Sequence, residues 1–156
     1  MLDKKDAKML EVLQQRGRVS FKALAEECGM PESTVRVRIR RLERGGIILG
    51  YKAVLSPKKV GRETVASVSI NLTSKRYERV VLEELGKMHE ILFFSPIIGT
   101  HDIIAFTACR DIEGLNALVN RISKLQGVQG SPRTNIWVDV KKWAEWSIGI
   151  PKEVVK

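Results

Sequence analysis

Glycine punctuation is the strongest constraint on this chain. Gly17, Gly29 and the pair Gly45-Gly46 divide the opening residues into three short segments, each with the apolar period of a helix. The first starts at Asp3, a residue suited to cap a helix, and places Met9, Leu10 and Leu13 on one stripe. The second starts at Ser20 and gathers Leu24, Ala25 and Cys28. The third is expected from Pro31, as a first helical residue, to Arg44. Segments so short cannot bury a core alone. They must pack on one another across their glycine turns.

Two helices joined by so tight a turn read as a helix-turn-helix, whose second helix docks in the DNA major groove. Val35, Ile39 and Leu42 form the inner seam of the third segment. Ser33, Val37, Arg40, Arg41 and Arg44 face outward, with Thr34 flanking them. Small hydroxyls can approach bases and phosphates, and arginines can neutralise phosphates or grip guanine with two bonds. Arg36 and Arg38 border the seam, so each either contacts DNA or lays its stem along the core. Charge agrees with a polyanion partner. The net charge is +9 over 156 residues, of which +7 falls in residues 1–63 and +2 in residues 64–156.

Residues 47–55, Ile47 to Leu55, are expected to form one or two short strands, the wing of a winged helix-turn-helix and an exit strand. Ser56-Pro57 and Gly61 then break the pattern. The expected organisation is a DNA-binding domain over 1–50, a linker strand and hinge over 51–63, and a second domain over 64–156. In that domain Thr64 to Leu72 alternates as a half-buried strand. A helix with Tyr77, Val80, Val81, Leu85 and Met88 follows. Next comes a strand from Ile91 to Ile98 broken at Pro96, which implies an edge or a bulge, and then a strand from Ile103 to Cys109. Asp111 caps another helix, and Thr134 to Val140 is the last strand.

The order β-α-β-β-α-β is that of a ferredoxin-like sandwich, so the fold class is α+β. Both helices of such a sandwich cover one sheet face. The middle strands are nonetheless apolar on nearly every residue, which predicts that a second copy covers the other face in a two-fold dimer. Chemistry is sparse. His89 and His101 are the only histidines and lack a nucleophile or metal-ligand spacing beside them, so no catalytic residue, metal or cofactor is expected. His89 should favour a helix end. Cys28 and Cys109 make neither a disulfide framework nor a metal site. No apolar run reaches the roughly 18 residues of a membrane span, and the first residues lack a signal-peptide core. A cytoplasmic protein with no membrane partner is expected.

The chain resembles the Lrp/AsnC family of leucine-responsive, or feast/famine, transcription regulators. The resemblance rests on Leu2-Asp3, Asp6, Leu10 and Leu13, then Leu24-Ala25 and Gly29. It continues through Ser33-Thr34-Val35, Arg38, Arg41-Leu42-Glu43, Gly46-Ile47-Ile48 and Gly50-Tyr51. Farther on it rests on Gly99-Thr100-His101-Asp102, Gly127-Val128 and Thr134. It implies a sequence-specific regulator of double-stranded DNA that forms homodimers and higher even-numbered oligomers. It also implies an amino-acid or similar effector near Gly99, Thr100, His101, Asp102 and Thr134, with Asp102 answering the ammonium group. The alternatives are an architectural DNA-bridging protein and a sirohaem-decarboxylase-like enzyme, the latter disfavoured by the arginine-rich third segment. Three features differ from the family pattern: Pro31 where a serine is usual, His101 for a tyrosine, and an extra residue near Pro132. The apolar tail around Trp143, Trp146 and Ile150 is expected to pack on the sandwich or on a neighbouring subunit.

Overall fold

A computed structural model describes residues 2–138 and Val155. The expected tail contacts and the end of the last strand lie outside the described residues. The chain divides into two compact units, built on Met1–Val54 and Leu55–Val140.

In the first unit three helices follow the glycine punctuation: α1 (Lys4–Gln15), α2 (Phe21–Cys28) and α3 (Glu32–Arg44). Asp3 caps α1 in a reciprocal box, its side chain accepting from the Asp6 amide while the Asp6 carboxylate accepts from the Asp3 amide. The Ser20 side chain caps α2, and Gly29 ends it in the left-handed conformation. Met9, Leu24, Val35, Ile39 and Leu42 converge in the core where the three helices meet. Each such buried side chain contributes about 1.5–3 kcal/mol of hydrophobic stabilisation. Leu2 makes a single parallel bridge to Val155.

Two local expectations are corrected here. Pro31 is the N-cap of α3, not its first helical residue, and supplies no side-chain bond. Residues 47–55 form neither wing nor exit strand. No strand among the described residues pairs with them, and a strand exists only through a ladder. The helix-turn-helix is therefore present without a paired wing.

The second unit is a four-stranded antiparallel sheet in the order β2-β3-β1-β4, from β1 (Thr64–Ile70), β2 (Ile91–Pro96), β3 (Ile103–Cys109) and β4 (Arg133–Ile136). Helices α4 (Glu78–Leu85) and α5 (Ile112–Ser123) connect it in the β-α-β-β-α-β order. Ala66, Val68, Ile70, Ile103 and Ala105 pack with Val81, Leu85, Leu115, Leu118 and Ile122 in one core. Asp111 caps α5 by accepting from the Gly114 amide at 2.7 Å. Pro96 ends an edge strand whose register also slips between Ile91 and Phe93. His89 corrects a further expectation. α4 stops at Leu85, so His89 lies beyond it and faces Glu90 at 3.5 Å instead of capping the helix. On the other sheet face Phe106 stacks on Phe93 at 5.7 Å and meets Trp137 edge-on at 5.0 Å. Phe93 stays half-exposed.

Candidate functional site

The outer face of α3 is built by the seam beneath it. Val35, Ile39 and Leu42 are buried, and this fixes the rotation of the helix. Ser33, Val37, Arg40 and Arg44 consequently stand out into solvent, and Val37 keeps 64% of its surface exposed. Arg44 donates its Nε–H to the Arg40 carbonyl at 3.3 Å, and neither arginine meets a carboxylate among the described residues. Ser33, Thr34, Val37, Arg38 and Arg41 line an open groove of about 400 Å³ along one side of the helix.

The remaining arginines are engaged. Arg36 bonds Glu32 one turn back, its Nε donating at 3.1 Å, and lies 4.5 Å over the ring of Phe21. Arg38 donates through Nη1 to Asp3 and, at 2.9 Å, to Oδ1 of Asp6. Arg41 donates through Nη2 to Oδ2 of the same Asp6. The Arg38 bond holds the Asp3 carboxyl below its ordinary range, and Asp3 in turn raises the Arg38 guanidinium. Arg36 and Arg38 thus take packed positions, one against a ring and one against two carboxylates. Arg41, expected wholly outward, spans from a buried acid to the groove. Asp6 entered the sequence reading only as a point of resemblance, with no role at the site. Its position before Met9 and Leu10 puts it on the buried stripe of α1, where a carboxylate needs a charged partner. That was the available signal.

The second candidate site gathers at the end of β1. Ile97 and Asp102 close the turn, the Ile97 amide donating to the Asp102 carbonyl at 2.9 Å. The Asp102 carboxylate accepts from the Leu72 amide at 2.8 Å and faces the Lys75 ammonium at 3.1 Å. The Leu72 amide and then Lys75 hold the carboxyl below its usual range, while Asp102 and Glu78 raise Lys75. His101 Nδ1 lies 3.0 Å from the Asn71 side-chain oxygen. Asn71 and Lys75 were not anticipated, because each is brought to the turn by strand pairing across 30 or fewer residues. Gly99 and Thr100 remain exposed in the same turn. Thr134 is not drawn into it. It sits on β4 opposite Val68, on the other flank of β1, and its buried hydroxyl has no hydrogen-bond partner among the described residues.

No group of three or more potential metal-ligating His, Cys, Asp or Glu side chains occurs among the described residues. No described helix is long and apolar enough to cross a membrane. Burial raises the thiols of Cys28 and Cys109 above the ordinary cysteine range.

Residues 2–43 match the AsnC-type helix-turn-helix domain, and residues 65–141 match the Lrp/AsnC ligand binding domain. An uncharacterised HTH-type transcriptional regulator of Pyrococcus abyssi is 36% identical over 143 residues, covering 91% of this chain and 89% of that protein. The structure of AsnC from E. coli aligns with a TM-score of 0.80 and 27% identity over 91% of this chain and 95% of that one. A transcriptional regulator of Neisseria meningitidis in complex with L-methionine aligns with a TM-score of 0.85 and 25% identity, covering 97% of both chains.

Proposed function

Because the chain belongs to the Lrp/AsnC family of transcriptional regulators, we propose that it reads specific duplex DNA with α3 and adjusts that binding to an amino-acid effector. The observation that carries the DNA half is the outer face of α3. Hydroxyls at Ser33 and Thr34, apolar Val37 and the uncommitted cations Arg40 and Arg44 follow one another along an exposed surface. That sequence of groups suits base edges at one end and phosphates at the other. The proposed DNA contacts are Ser33, Thr34, Val37, Arg40, Arg41 and Arg44. Arg36 and Arg38 support them from beneath.

The effector half rests on the turn at Gly99 to Asp102 and on the likeness to the L-methionine complex of the Neisseria regulator. The Asp102 carboxylate is held ionised, as binding an ammonium group requires. Thr134 is set aside from this site because it lies across β1. The half-exposed aromatic face around Phe93 and Phe106 fits a second copy of the chain, which gives the two-fold dimer that reads two half-sites. Such a protein works in the cytoplasm beside the DNA it regulates.

Selection of bound duplexes from a randomised pool, with and without a panel of amino acids including L-methionine, tests both halves. The double variant Arg40→Ala, Arg44→Ala should lose at least tenfold in affinity for the selected duplex. Its salt slope should fall by about 1.8, two phosphate contacts' worth. Unchanged affinity in that variant refutes the assigned face, and identical selections with and without amino acids refute the effector.

A further inference from the structure

Asp6 ties the opening helix to the DNA-facing one. It is fully buried, and both of its carboxylate oxygens are committed. Oδ1 receives Arg38 at 2.9 Å, while Oδ2 receives Arg41 and the Asp3 amide, the latter at 3.0 Å. The capping box and the Arg38 bond therefore hold this carboxylate from two sides before Arg41 reaches it. Arg41 in turn is half-exposed and lines the groove with Ser33, Thr34 and Val37. A guanidinium carries five N–H donors in a rigid plane. The structure records one of them on Asp6, so the rest of the fork is presented at the rim of the groove.

Resting on the reading of α3 as the DNA-docking helix, the geometry points to Asp6 as a positioning residue for sequence readout. Held by Asp6, the Arg41 fork meets the edge of a guanine in place of a passing phosphate. An unrestrained arginine loses side-chain entropy on every contact and finds phosphates on any sequence. One already fixed in its plane loses less, and only where two parallel acceptors match it. Val37, one helical turn before Arg41 on the same groove, offers an apolar surface for the methyl of a thymine. Arg40 and Arg44 lack such a tether among the described residues and supply affinity for any duplex. The two sets of arginines thus divide specificity from affinity.

The test uses the full chain, the duplex it selects from a randomised pool, and a scrambled duplex of equal length. Affinities are measured by fluorescence anisotropy between 50 and 200 mM salt for the wild type, Asp6→Asn, Arg41→Lys and the double variant. Arg41→Lys keeps the charge and loses the fork. It should cut the selected-over-scrambled ratio about tenfold, the selected duplex losing far more affinity than the scrambled one. Asp6→Asn should cut the ratio by a similar factor and steepen the salt slope by about 0.9, because the freed arginine now finds phosphates. The double variant should lose no more than either single one. A purely structural Asp6 weakens both duplexes by one common factor and leaves the ratio intact, which overturns the proposal. So do losses that multiply in the double variant. If circular dichroism shows Asp6→Asn unfolded, repeating the selection with Arg41→Lys decides the matter. Loss of a guanine at one fixed position supports the proposal, and an unchanged selected sequence overturns it. A wild-type chain that selects no sequence overturns the underlying DNA reading, and the role of Asp6 with it.

Discussion

Replacing Gly127 by alanine should be among the most damaging single-methyl changes in the second unit. Gly127 has φ +96°, and a Cβ built there would lie 2.2 Å from both Cβ and Cγ of Tyr77. The Tyr77 Cβ is fixed to the backbone, so a change of rotamer cannot clear it. Placing an L-residue at a left-handed φ costs about 1–2 kcal/mol. Forcing an extra methyl into a filled space costs about 1–3 kcal/mol more. Gly127→Ala should therefore destabilise by about 2–5 kcal/mol, which lowers a urea midpoint by about 1–2.5 M at an m-value of about 2 kcal/mol/M. Tryptophan fluorescence follows the transition, since Trp137 packs on Phe106 in this unit. The decisive comparison is the same change in a Tyr77→Gly background, which removes both of those atoms of Tyr77. There the steric part disappears and only about 1–2 kcal/mol of backbone strain remains, leaving a coupling of about 2 kcal/mol. Equal losses in the two backgrounds, or a loss under about 1 kcal/mol in the first, would refute the close approach as the reason for glycine. The turn also bears on the effector site, because the Gly127 carbonyl accepts from the Thr73 amide at 2.8 Å and so anchors the segment that carries Lys75.

Glu90 receives Arg121 through two bonds at 2.9 and 3.0 Å, and Glu90→Gln should cost about 2 kcal/mol in urea unfolding. Arg121 holds the Glu90 carboxyl below its ordinary 4.5, and Asp3, Asp102 and Asp111 are likewise held below 3.8. Their stabilisation is complete above those ordinary values and is lost as pH falls through the lowered ones. Thermal melts should therefore weaken progressively below about pH 4.5, less steeply in Glu90→Gln, and a flat acid limb in the wild type would contradict this. Partial burial and the Glu43 carboxylate, which accepts its O–H at 3.1 Å, push the Tyr51 phenol up to about 12. Stability from this contact is present below about pH 10 and is lost between there and 12, and an absorbance titration should show a late tyrosine step that Tyr51→Phe removes. Phe93→Ser with Phe106→Ser should shift the light-scattering mass to that of a single chain, and an unchanged mass would exclude this face from the dimer.

Local features were legible in the sequence because their causes are local. Asp3, Ser20 and Asp111 cap helices by bonding amides three residues ahead, and the spacing alone announces such bonds. The strand order survived for a similar reason, since alternation and turn residues leave short-range marks. What could not be read depends on partners far along the chain. Residues 47–55 have the composition of a strand but no neighbour to pair with among the described residues. The faces of α3 followed from its period, yet the restraint on Arg41 did not, because Asp6 lies 35 residues earlier. The partners of Asp102 were hidden likewise. Its carboxylate was expected to answer an ammonium group, yet it also accepts from the Leu72 amide on a different segment.

The buried carboxylate of Asp6 also bears on how such a protein can acquire a new target. A change at Arg41 or Arg38 removes one of two cations from a shared acid inside the protein, so it is felt first in folding. Ser33, Val37, Arg40 and Arg44 carry no such debt to the core. Drift in operator preference should therefore run through Ser33 and Val37, while Arg40 and Arg44 adjust affinity for any duplex and Arg41 stays the fixed point around which the rest of the recognised sequence is rewritten.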